Sequence, residues 1–125
     1  QIIFFMPHVQ IEYSEDLNKK IDPLLFESLI NILIEFANVK PENCKCKAWK
    51  VKEYYLQSNK LKESFIHLDI KILEGRSKKI INQIGEKSMQ VLQSFFKSSA
   101  KKKSIQYSIE IQEMKHSNYF TSNNI

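Results

Sequence analysis

The sequence predicts an α/β fold of the α+β sandwich type, in which two helices cover one face of a four-stranded mixed sheet. Three segments alternate apolar with polar residues, as half-buried strands do. Two further segments repeat apolar residues at helical spacing. The elements follow in the order strand, helix, strand, and then in the same order again. Two tandem βαβ units are therefore predicted, each with a right-handed crossover between parallel strands.

The first unit opens with a strand from His8 to Tyr13, whose apolar residues fall on alternate positions. Asp22 and Pro23 predict a helix start, because Asp22 offers a capping oxygen and the missing N–H of Pro23 costs nothing there. The helix should end before Pro41. Its apolar residues at helical spacing are Phe26, Leu29, Ile30, Leu33, Phe36 and Ala37.

The second strand is predicted from Cys44 to Leu56, in one or two pieces, because this segment lacks Gly and Pro and is rich in Val, Tyr and Trp. Residues 57–63 are polar and predict a turn. One face of the strand would carry Cys44, Cys46 and Ala48, and the other Lys45, Lys47 and Trp49. Two cysteines on one strand face supply neither a disulfide framework nor a four-ligand zinc site, so two half-buried thiols are expected.

The second unit repeats the pattern. Alternation from Phe65 to Leu73 predicts a strand, and the Gly75-Arg76-Ser77 triplet then predicts a turn in which Ser77 caps a helix running to about Ser99. The last strand follows from alternate apolar residues at Ile105, Tyr107, Ile109 and Ile111. Within one chain the second face of the sheet would stay uncovered, and parallel sheets seldom tolerate this, so self-association is expected.

Composition suits one domain of 125 residues with a hydrophobic fraction of 42%. The longest apolar stretch, Leu24 to Phe36, is interrupted by polar residues and cannot span a bilayer, so no membrane association is expected. No secretory signal is recognised, and a cytoplasmic location is the expectation. The net charge of +5 fits anionic small molecules or a weak attraction to polyanions.

Three segments carry a resemblance to a known family. They are Met6-Pro7-His8-Val9-Gln10-Ile11-Glu12-Tyr13-Ser14, then Phe65-Ile66-His67-Leu68 leading into Lys71-Ile72-Leu73-Glu74-Gly75-Arg76-Ser77, and the ending from Tyr107 to Ile111 and Asn118 to Asn124. Together they resemble 5-carboxymethyl-2-hydroxymuconate isomerase of the tautomerase superfamily. The resemblance extends from Pro7 to Ile125 and is fairly specific when the three segments are taken together.

The resemblance implies a tautomerase-like domain over residues 7–125, assembled as a homotrimer. It implies enol/keto tautomerisation with double-bond migration in 5-carboxymethyl-2-hydroxymuconate or a similar unsaturated dicarboxylic acid, within homoprotocatechuate breakdown. No metal or organic cofactor is expected. Residues 1–6 are interpreted as an N-terminal extension, natural or left over from expression. The tail from about residue 115 to 125 has no core of its own and is expected to pack on a neighbouring subunit.

Pro7 is the catalytic base that the resemblance implies. A proline at the start of a chain is a secondary amine, and an unperturbed α-amino group titrates near about 7.7–8.0. Burial and nearby cations would lower that value toward neutrality, where a base best accepts and returns a proton. An internal proline is an amide and cannot do this. We therefore expect activity only when Pro7 is the first residue.

The resemblance also implies cations that bind the substrate. Arg76 matches a family arginine, and its planar guanidinium suits a carboxylate; a solvated loop arginine is the alternative. Lys45 and Lys47 fall where the family carries two arginines spaced two apart, if the register is right within one residue. Lysine lacks the guanidinium fork, so the substrate identity is open, and a solvated strand face is the alternative for both.

Other side chains have less specific interpretations. His8 and His67 are expected to have structural or solvent-facing roles, because neither has a second histidine at metal-ligand spacing. Trp49, Tyr54 and Tyr55 are expected in core or interface packing rather than in a pocket. Two alternatives to the isomerase stay open: a tautomerase acting on another oxo-acid, and a noncatalytic trimer whose basic patches bind polyanions. Nucleic-acid binding is not expected, because stacking aromatics among the cations are too few.

Overall fold

The computed structural model describes residues 6–57 and 63–122, and within them four strands pair into one mixed sheet. The strands are β1 (His8–Ser14), β2 (Lys45–Val51), β3 (Glu63–Leu73) and β4 (Ser104–Met114). Their spatial order is β2-β1-β3-β4, with parallel pairing within each outer pair and antiparallel pairing of β1 with β3. The predicted tandem βαβ arrangement is confirmed, and the antiparallel central pair joins its two units.

Helix α1 (Pro23–Ala37) begins and ends where the sequence predicts. The side chain of Asp22 accepts hydrogen bonds from two backbone N–H groups of the first turn, and Pro23 occupies the first helical position. At the other end Asn38 adopts a left-handed conformation with φ of 54°, which stops the helix before Pro41. The hydroxyl of Ser77 caps the second helix in the predicted way, accepting from an N–H of its first turn.

The second helix is shorter than predicted. Helix α2 (Lys78–Phe95) stops at Phe96, and a separate turn of helix, α3 (Lys97–Ala100), follows. A single helix to Ser99 is therefore a wrong prediction. Phe96 leaves the helical conformation, becomes fully buried and packs edge-to-face on Phe95 with ring centroids 5.0 Å apart. Burying this large side chain in the core accounts for the break.

Strand β2 is also shorter than the predicted segment from Cys44 to Leu56. It ends at Val51, which pairs with Ser14, the last residue of β1. The prediction beyond Val51 is wrong because β1 turns into a 3-10 turn at Glu15 and offers no further partner. Residues 58–62 of the predicted turn lie outside the described residues, and Glu63 already belongs to β3.

The hydrophobic core lies between the two long helices and one face of the sheet. It joins inward-facing residues of β1 and β3 to buried residues of α1 and α2. The fully buried members include Val9, Ile11, Ile66, Leu68, Ile70, Ile72, Leu25, Leu29, Leu33, Ile84 and Leu92. These are the alternating strand positions and helical stripes that the sequence predicts. None of the helices among the described residues combines the length and the apolar character that crossing a bilayer requires.

Neither helix α1 nor helix α2 covers the opposite face of the sheet, and among the described residues this face stays uncovered, as predicted. It carries polar side chains on alternate residues of every strand, among them Lys45, Lys47, His8, Gln10, His67, Asp69, Lys71, Ser108, Glu110 and Gln112. Trp49 stands on the same face and is 51% exposed, and Tyr55 is also exposed. Core packing is therefore wrong for these two aromatics, whereas interface packing stays a prediction. Tyr54 instead contacts the Phe65 ring at 5.4 Å.

The tail begins with a 3-10 turn at His116–Asn118, directly after β4. Tyr119 is half-buried against its own chain, while Phe120 is 88% exposed. Residues 123–125 lie outside the described residues. Packing of the tail on a neighbouring subunit therefore stays a prediction, and Phe120 is the most exposed apolar side chain among the described residues of the tail.

Candidate active site

One end of the sheet collects the starts of β1 and β2 and the ends of β3 and β4, because the central pair is antiparallel and the outer pairs are parallel. Pro7 lies at this end, directly before β1, and is buried. Its carbonyl oxygen accepts a hydrogen bond from the backbone N of Lys45 at 2.9 Å, which fixes Pro7 beside β2. Its ring nitrogen is an amide here, because Met6 precedes it.

Three lysines surround His8, the residue that follows Pro7. Lys45 of β2 and Lys71 of β3 are its direct neighbours across the strands, and adjacent strands lie about 4.8 Å apart. Burial lowers the pKa of His8 below its usual value, and the charges of Lys45, Lys71 and Lys47 lower it further. His8 is therefore uncharged near neutral pH, and this corner of the sheet has a positive field.

A cavity of about 450 Å³ opens on the uncovered sheet face beside these lysines. This volume lies within the range of small-molecule sites, roughly 300–1,000 Å³. Lys47 and Lys71 contribute positive charge to its wall, while Asp69 and Glu113 contribute carboxylates. The described lining residues are His8, Gln10, Lys47, Asp69, Lys71, Gln112, Glu113, Met114 and Tyr119. The arrangement can bind a small polar anion through its lysines, while neutral His8 and the amides offer hydrogen bonds.

The structure brings three of the four predicted site residues to this corner. Lys45 and Lys47 share one strand face, two residues apart, as the sequence predicts. Lys47 lines the cavity, whereas Lys45 flanks His8 and is not among the described lining residues. Pro7 directly precedes His8, which lines the cavity, and is not itself among the described lining residues. Their roles in binding and catalysis stay predictions.

Arg76 reaches the same end of the sheet, but its guanidinium is bound to backbone carbonyls. One terminal nitrogen donates to the carbonyl of Leu73 at 2.8 Å, and the other donates to that of Ala37 at 2.6 Å. Ala37 is the last residue of α1, so Arg76 ties the end of that helix to the end of β3. The alternative of a solvated loop arginine is therefore wrong, because the side chain is half-buried and hydrogen-bonded. A carboxylate role would use the remaining guanidinium N–H groups and stays a prediction.

Two residues of this corner, Lys71 and Tyr119, were not predicted from the sequence to belong to the site. Lys71 stands on the polar face of β3, and pairing that strand with β1 would have placed it beside His8. Tyr119 follows β4 after a short turn, and no periodicity points to it. Its hydroxyl lies 3.3 Å from Nε2 of His8 and 3.4 Å from the carbonyl oxygen of Met6. Tyr119 therefore lines the cavity next to the peptide group that joins Met6 to Pro7.

His67 belongs to a different cluster on the uncovered face. Its ring nitrogens lie 2.6 Å from the hydroxyl of Ser108 and 3.2 Å from a carboxylate oxygen of Asp69. His67, Asp69 and Glu110 could each offer one ligand atom to a cation, and these atoms lie within 4.8 Å of one another. The sequence did not predict this grouping, which arises from the pairing of β3 with β4. The hydrogen bonds of His67 agree with the structural role expected for it.

The cysteines are half-buried free thiols, as expected. Burial raises the pKa of Cys46 to about 11, with a further contribution from Cys44. Burial likewise raises the pKa of Cys44, and its sulfur lies 3.7 Å from the carbonyl of Lys40. High pKa values keep both thiols protonated near neutral pH, so neither is an activated nucleophile.

A second cavity, of about 420 Å³, lies between α1 and α2. Its wall is mostly apolar, with Leu24, Val91 and Phe95 among the described lining residues. Asp22 and Lys87 are the charged groups among them, and their charges offset each other. A site for an anion is better supported at the lysine corner than between the helices, because Lys45 beside His8 adds a third cation to Lys47 and Lys71, against the two carboxylates of that cavity wall.

Comparison with known proteins gives one family match that spans nearly the whole chain. The family model described as 5-carboxymethyl-2-hydroxymuconate isomerase matches residues 7–125. A search among curated proteins found no match. The match covers all four strands and the three helices described above.

Solved structures show the same likeness. A crystal structure of a 5-carboxymethyl-2-hydroxymuconate isomerase from Deinococcus radiodurans R1 is 26% identical, with a TM-score of 0.83, and the alignment covers 97% of this chain and 92% of that one. A 5-carboxymethyl-2-hydroxymuconate delta-isomerase is 15% identical, with a TM-score of 0.78 and coverage of 96% and 89%. A structure described as an F6 fused 4-OT wild-type asymmetric trimer is 10% identical, with a TM-score of 0.60 and coverage of 91% and 91%. The last two show the fold alone.

Proposed function

We propose a specific reaction for this chain, which belongs to the 5-carboxymethyl-2-hydroxymuconate isomerase family and is an isomerase of the tautomerase superfamily. The proposed reaction converts the enol form of 5-carboxymethyl-2-hydroxymuconate, or of a similar unsaturated dicarboxylic acid, into its keto form with migration of a double bond. The observation that carries the proposal is the position of Pro7, buried directly before β1 and next to His8, which lines a cavity with lysines on its wall. The place in homoprotocatechuate breakdown and the cytoplasmic location stay predictions from the sequence.

The proposed base is the ring nitrogen of Pro7 in a chain that begins there. That nitrogen removes the proton of the enol hydroxyl and returns a proton to carbon, so the substrate gains and loses no atoms overall. Burial of Pro7 and the charges of Lys45, Lys47 and Lys71 around the adjoining His8 both disfavour a protonated amine. A base whose pKa is lowered toward neutrality is suited to both halves of this transfer.

The proposed substrate-binding groups are the lysines of this corner together with Arg76. Lys45 and Lys71 stand two strand spacings apart, roughly 10 Å, on either side of His8. An extended acid with a carboxylate at each end would match such a separation. By its name, 5-carboxymethyl-2-hydroxymuconate carries three carboxylates, so Lys47 also has a partner among them. Since lysine lacks the fork of arginine, a related oxo-acid stays the alternative substrate.

The proposed assembly is a homotrimer. Support comes from the uncovered polar sheet face with Trp49 exposed on it, from the exposed Phe120 of the tail, and from the likeness to a structure described as a trimer. Sedimentation of the purified chain would test the proposal. A mass of three chains is expected, and a monomer at micromolar concentration would contradict it.

Ketonisation followed by ultraviolet absorbance tests the proposed base. Two forms are compared: a chain that begins at Pro7, and the same chain with residues 1–6 retained. Activity is expected in the first form only, because the ring nitrogen is an amide in the second. In the short form, Pro7→Gly keeps an amine but loses the ring, and it serves as a matched variant with reduced turnover.

Equal activity in both forms would remove Pro7 from the mechanism. Activity of neither form on 5-carboxymethyl-2-hydroxymuconate, together with turnover of a different unsaturated oxo-acid by the short form only, would keep the base and change the substrate. Salt-sensitive retention on a polyanion without turnover of any tested acid would favour the noncatalytic alternative.

A further inference from the structure

The hydroxyl of Tyr119 lies between His8 and the carbonyl group that acylates Pro7. It donates to the carbonyl oxygen of Met6 at 3.4 Å and lies 3.3 Å from Nε2 of His8. A carbonyl oxygen only accepts hydrogen bonds, so the hydroxyl hydrogen points toward Met6. The hydroxyl oxygen then accepts from Nε2–H of His8, which fixes the tautomer of that ring. The two rings meet edge-on with centroids 6.2 Å apart, so His8 orients Tyr119 toward Met6.

The acceptor of Tyr119 belongs to the same peptide group as the ring nitrogen of Pro7. The oxygen and nitrogen of one peptide group are roughly 2.3 Å apart. When Met6 is absent, its carbonyl no longer accepts from the Tyr119 hydroxyl, while the ring nitrogen of Pro7 gains a lone pair close to the place of that carbonyl. We infer that Tyr119, oriented by His8, donates a hydrogen bond to the free amine of Pro7 and positions it for proton transfer. This inference rests on the proposed function of Pro7 and adds a positioning residue to it.

The direction of the effect follows from the donor. A hydroxyl that donates to the lone pair stabilises the neutral amine, so Tyr119 makes Pro7 less prone to hold a proton. The lysines act in the same direction, and carboxylates on the cavity wall act against them. The charged or titratable described groups around Pro7 are Cys44, Lys45 and Lys47 of the β2 side, Asp69 and Lys71 of β3, Glu113 of β4, and His8 itself. Changing Tyr119 to phenylalanine leaves all of them in place.

Nitrogen NMR of the ring of Pro7 measures the effect without turnover. The chain begins at Pro7 and carries ¹⁵N-labelled proline, and the ring nitrogen is titrated with pH. Tyr119→Phe is expected to increase the proton affinity of Pro7 by about threefold to tenfold, the size of one lost hydrogen bond. Tyr55→Phe is the matched control, because Tyr55 is 83% exposed and lies in the segment after β2. It should leave the titration unchanged.

A second variant, His8→Leu, tests the inference independently in case Tyr119→Phe does not fold. His8→Leu removes the group that orients the hydroxyl, and it should also increase the proton affinity of Pro7. An unchanged or decreased proton affinity in Tyr119→Phe, with a folded spectrum, overturns the inference. The same result in His8→Leu overturns it if Tyr119→Phe does not fold. Tyr119 as a mere tail anchor would change stability without moving this titration.

The outcome is separable from that of the proposed function. If the short chain does not turn over substrate but Tyr119→Phe still increases the proton affinity of Pro7, the proposed function is wrong and the contact between Tyr119 and Pro7 is supported. If the short chain is fully active but Tyr119→Phe leaves the titration of Pro7 unchanged, the proposed function is supported and the contact between Tyr119 and Pro7 is wrong. Where both hold, the acid limb of the pH dependence of kcat/KM moves to higher pH in Tyr119→Phe, in parallel with the titration.

Discussion

Lys71 of β3 lies directly opposite His8 of β1 in the central antiparallel pair, and both side chains line the same cavity. The pairing therefore sets a cation beside the residue that follows Pro7, from a strand more than sixty positions further along the chain. Lys45 does the same from the other side, through the parallel pair. Strands β2 and β3, which are far apart in the sequence, therefore each contribute one lysine to this corner of the sheet.

Lys71→Ala should raise KM for the carboxylate substrate by about tenfold in a chain beginning at Pro7, with a smaller effect on kcat. A charge-assisted contact contributes about 1.5–3 kcal/mol, and each 1.4 kcal/mol corresponds to roughly tenfold in affinity. Steady-state kinetics measure the change. Lys101→Ala serves as the control, because that exposed lysine follows α3 at the far end of β4. An unchanged KM in Lys71→Ala would exclude the lysine from substrate binding.

Arg76→Ala should lower stability and raise KM together. The guanidinium bonds to Leu73 and Ala37 join β3 to the end of α1, and their loss leaves two carbonyls without that donor. A decrease of about 1–3 kcal/mol in the free energy of unfolding is expected, measured by urea titration. A raised KM under conditions where the variant is fully folded would support the carboxylate role. Lower stability with an unchanged KM would restrict Arg76 to a structural role.

Asp16 should make stability fall in acid. Its carboxylate accepts from the hydroxyl of Ser64 at 2.8 Å and lies 3.4 Å from Nζ of Lys103. Burial raises the pKa of Asp16, but hydrogen bonds from Ser14, Ser64 and Tyr54 and the charge of Lys103 outweigh it and hold the pKa at about 2, against an ordinary 3.8. The folded state thus holds its proton less tightly than the unfolded chain does.

The stabilisation from Asp16 is accordingly complete above about pH 4 and is lost as the pH falls toward 2. Asp16→Asn should flatten the dependence of the free energy of unfolding on pH in this window. Urea titrations at pH 5, 3 and 2 measure it. Glu42→Gln, at an exposed position, is the matched control. An equally steep decline in Asp16→Asn would assign the acid sensitivity to other carboxylates.

Leu29→Ala should cost about 2–5 kcal/mol of stability, because its side chain is fully buried between α1 and the sheet and truncation leaves a cavity. Leu24→Ala, one helical turn and a residue earlier, should cost less than about 1 kcal/mol, since Leu24 is 68% exposed. Thermal or urea unfolding compares the two. Similar losses at both positions would contradict the assignment of the buried helix face.

The fold was largely predictable because the hydrophobic periodicity of each segment agrees with the capping and turn residues at its ends. Alternation in β1 and β3 gave their buried faces, and Asp22 and Ser77 marked both helix starts by their capping side chains. Element ends were less predictable, because they depend on distant partners. Val51 ends β2 only because Ser14 ends β1.

The site was predictable only in part. Pro7, Lys45, Lys47 and Arg76 came from a family resemblance rather than from a spacing rule. Lys71 and Tyr119 reach the corner through strand pairing and a turn after β4. Both lie in segments that carry the resemblance, but no periodicity or spacing marks either of them as a site residue. The two carbonyl contacts of Arg76 likewise depend on how α1 meets β3, which no single segment of the sequence encodes.

The attachment of Pro7 to the sheet has a consequence for a chain that begins at Pro7. Its link to β2 runs through its carbonyl oxygen, and the pairing of β1 begins at His8. Cutting the chain before Pro7 would therefore spare every rung of the β1 ladder. It would remove the contacts that Tyr119 and Thr121 make with Met6 and turn the ring nitrogen of Pro7 into an amine. Under the proposed mechanism, trimming would create the base without rebuilding the strands that hold it.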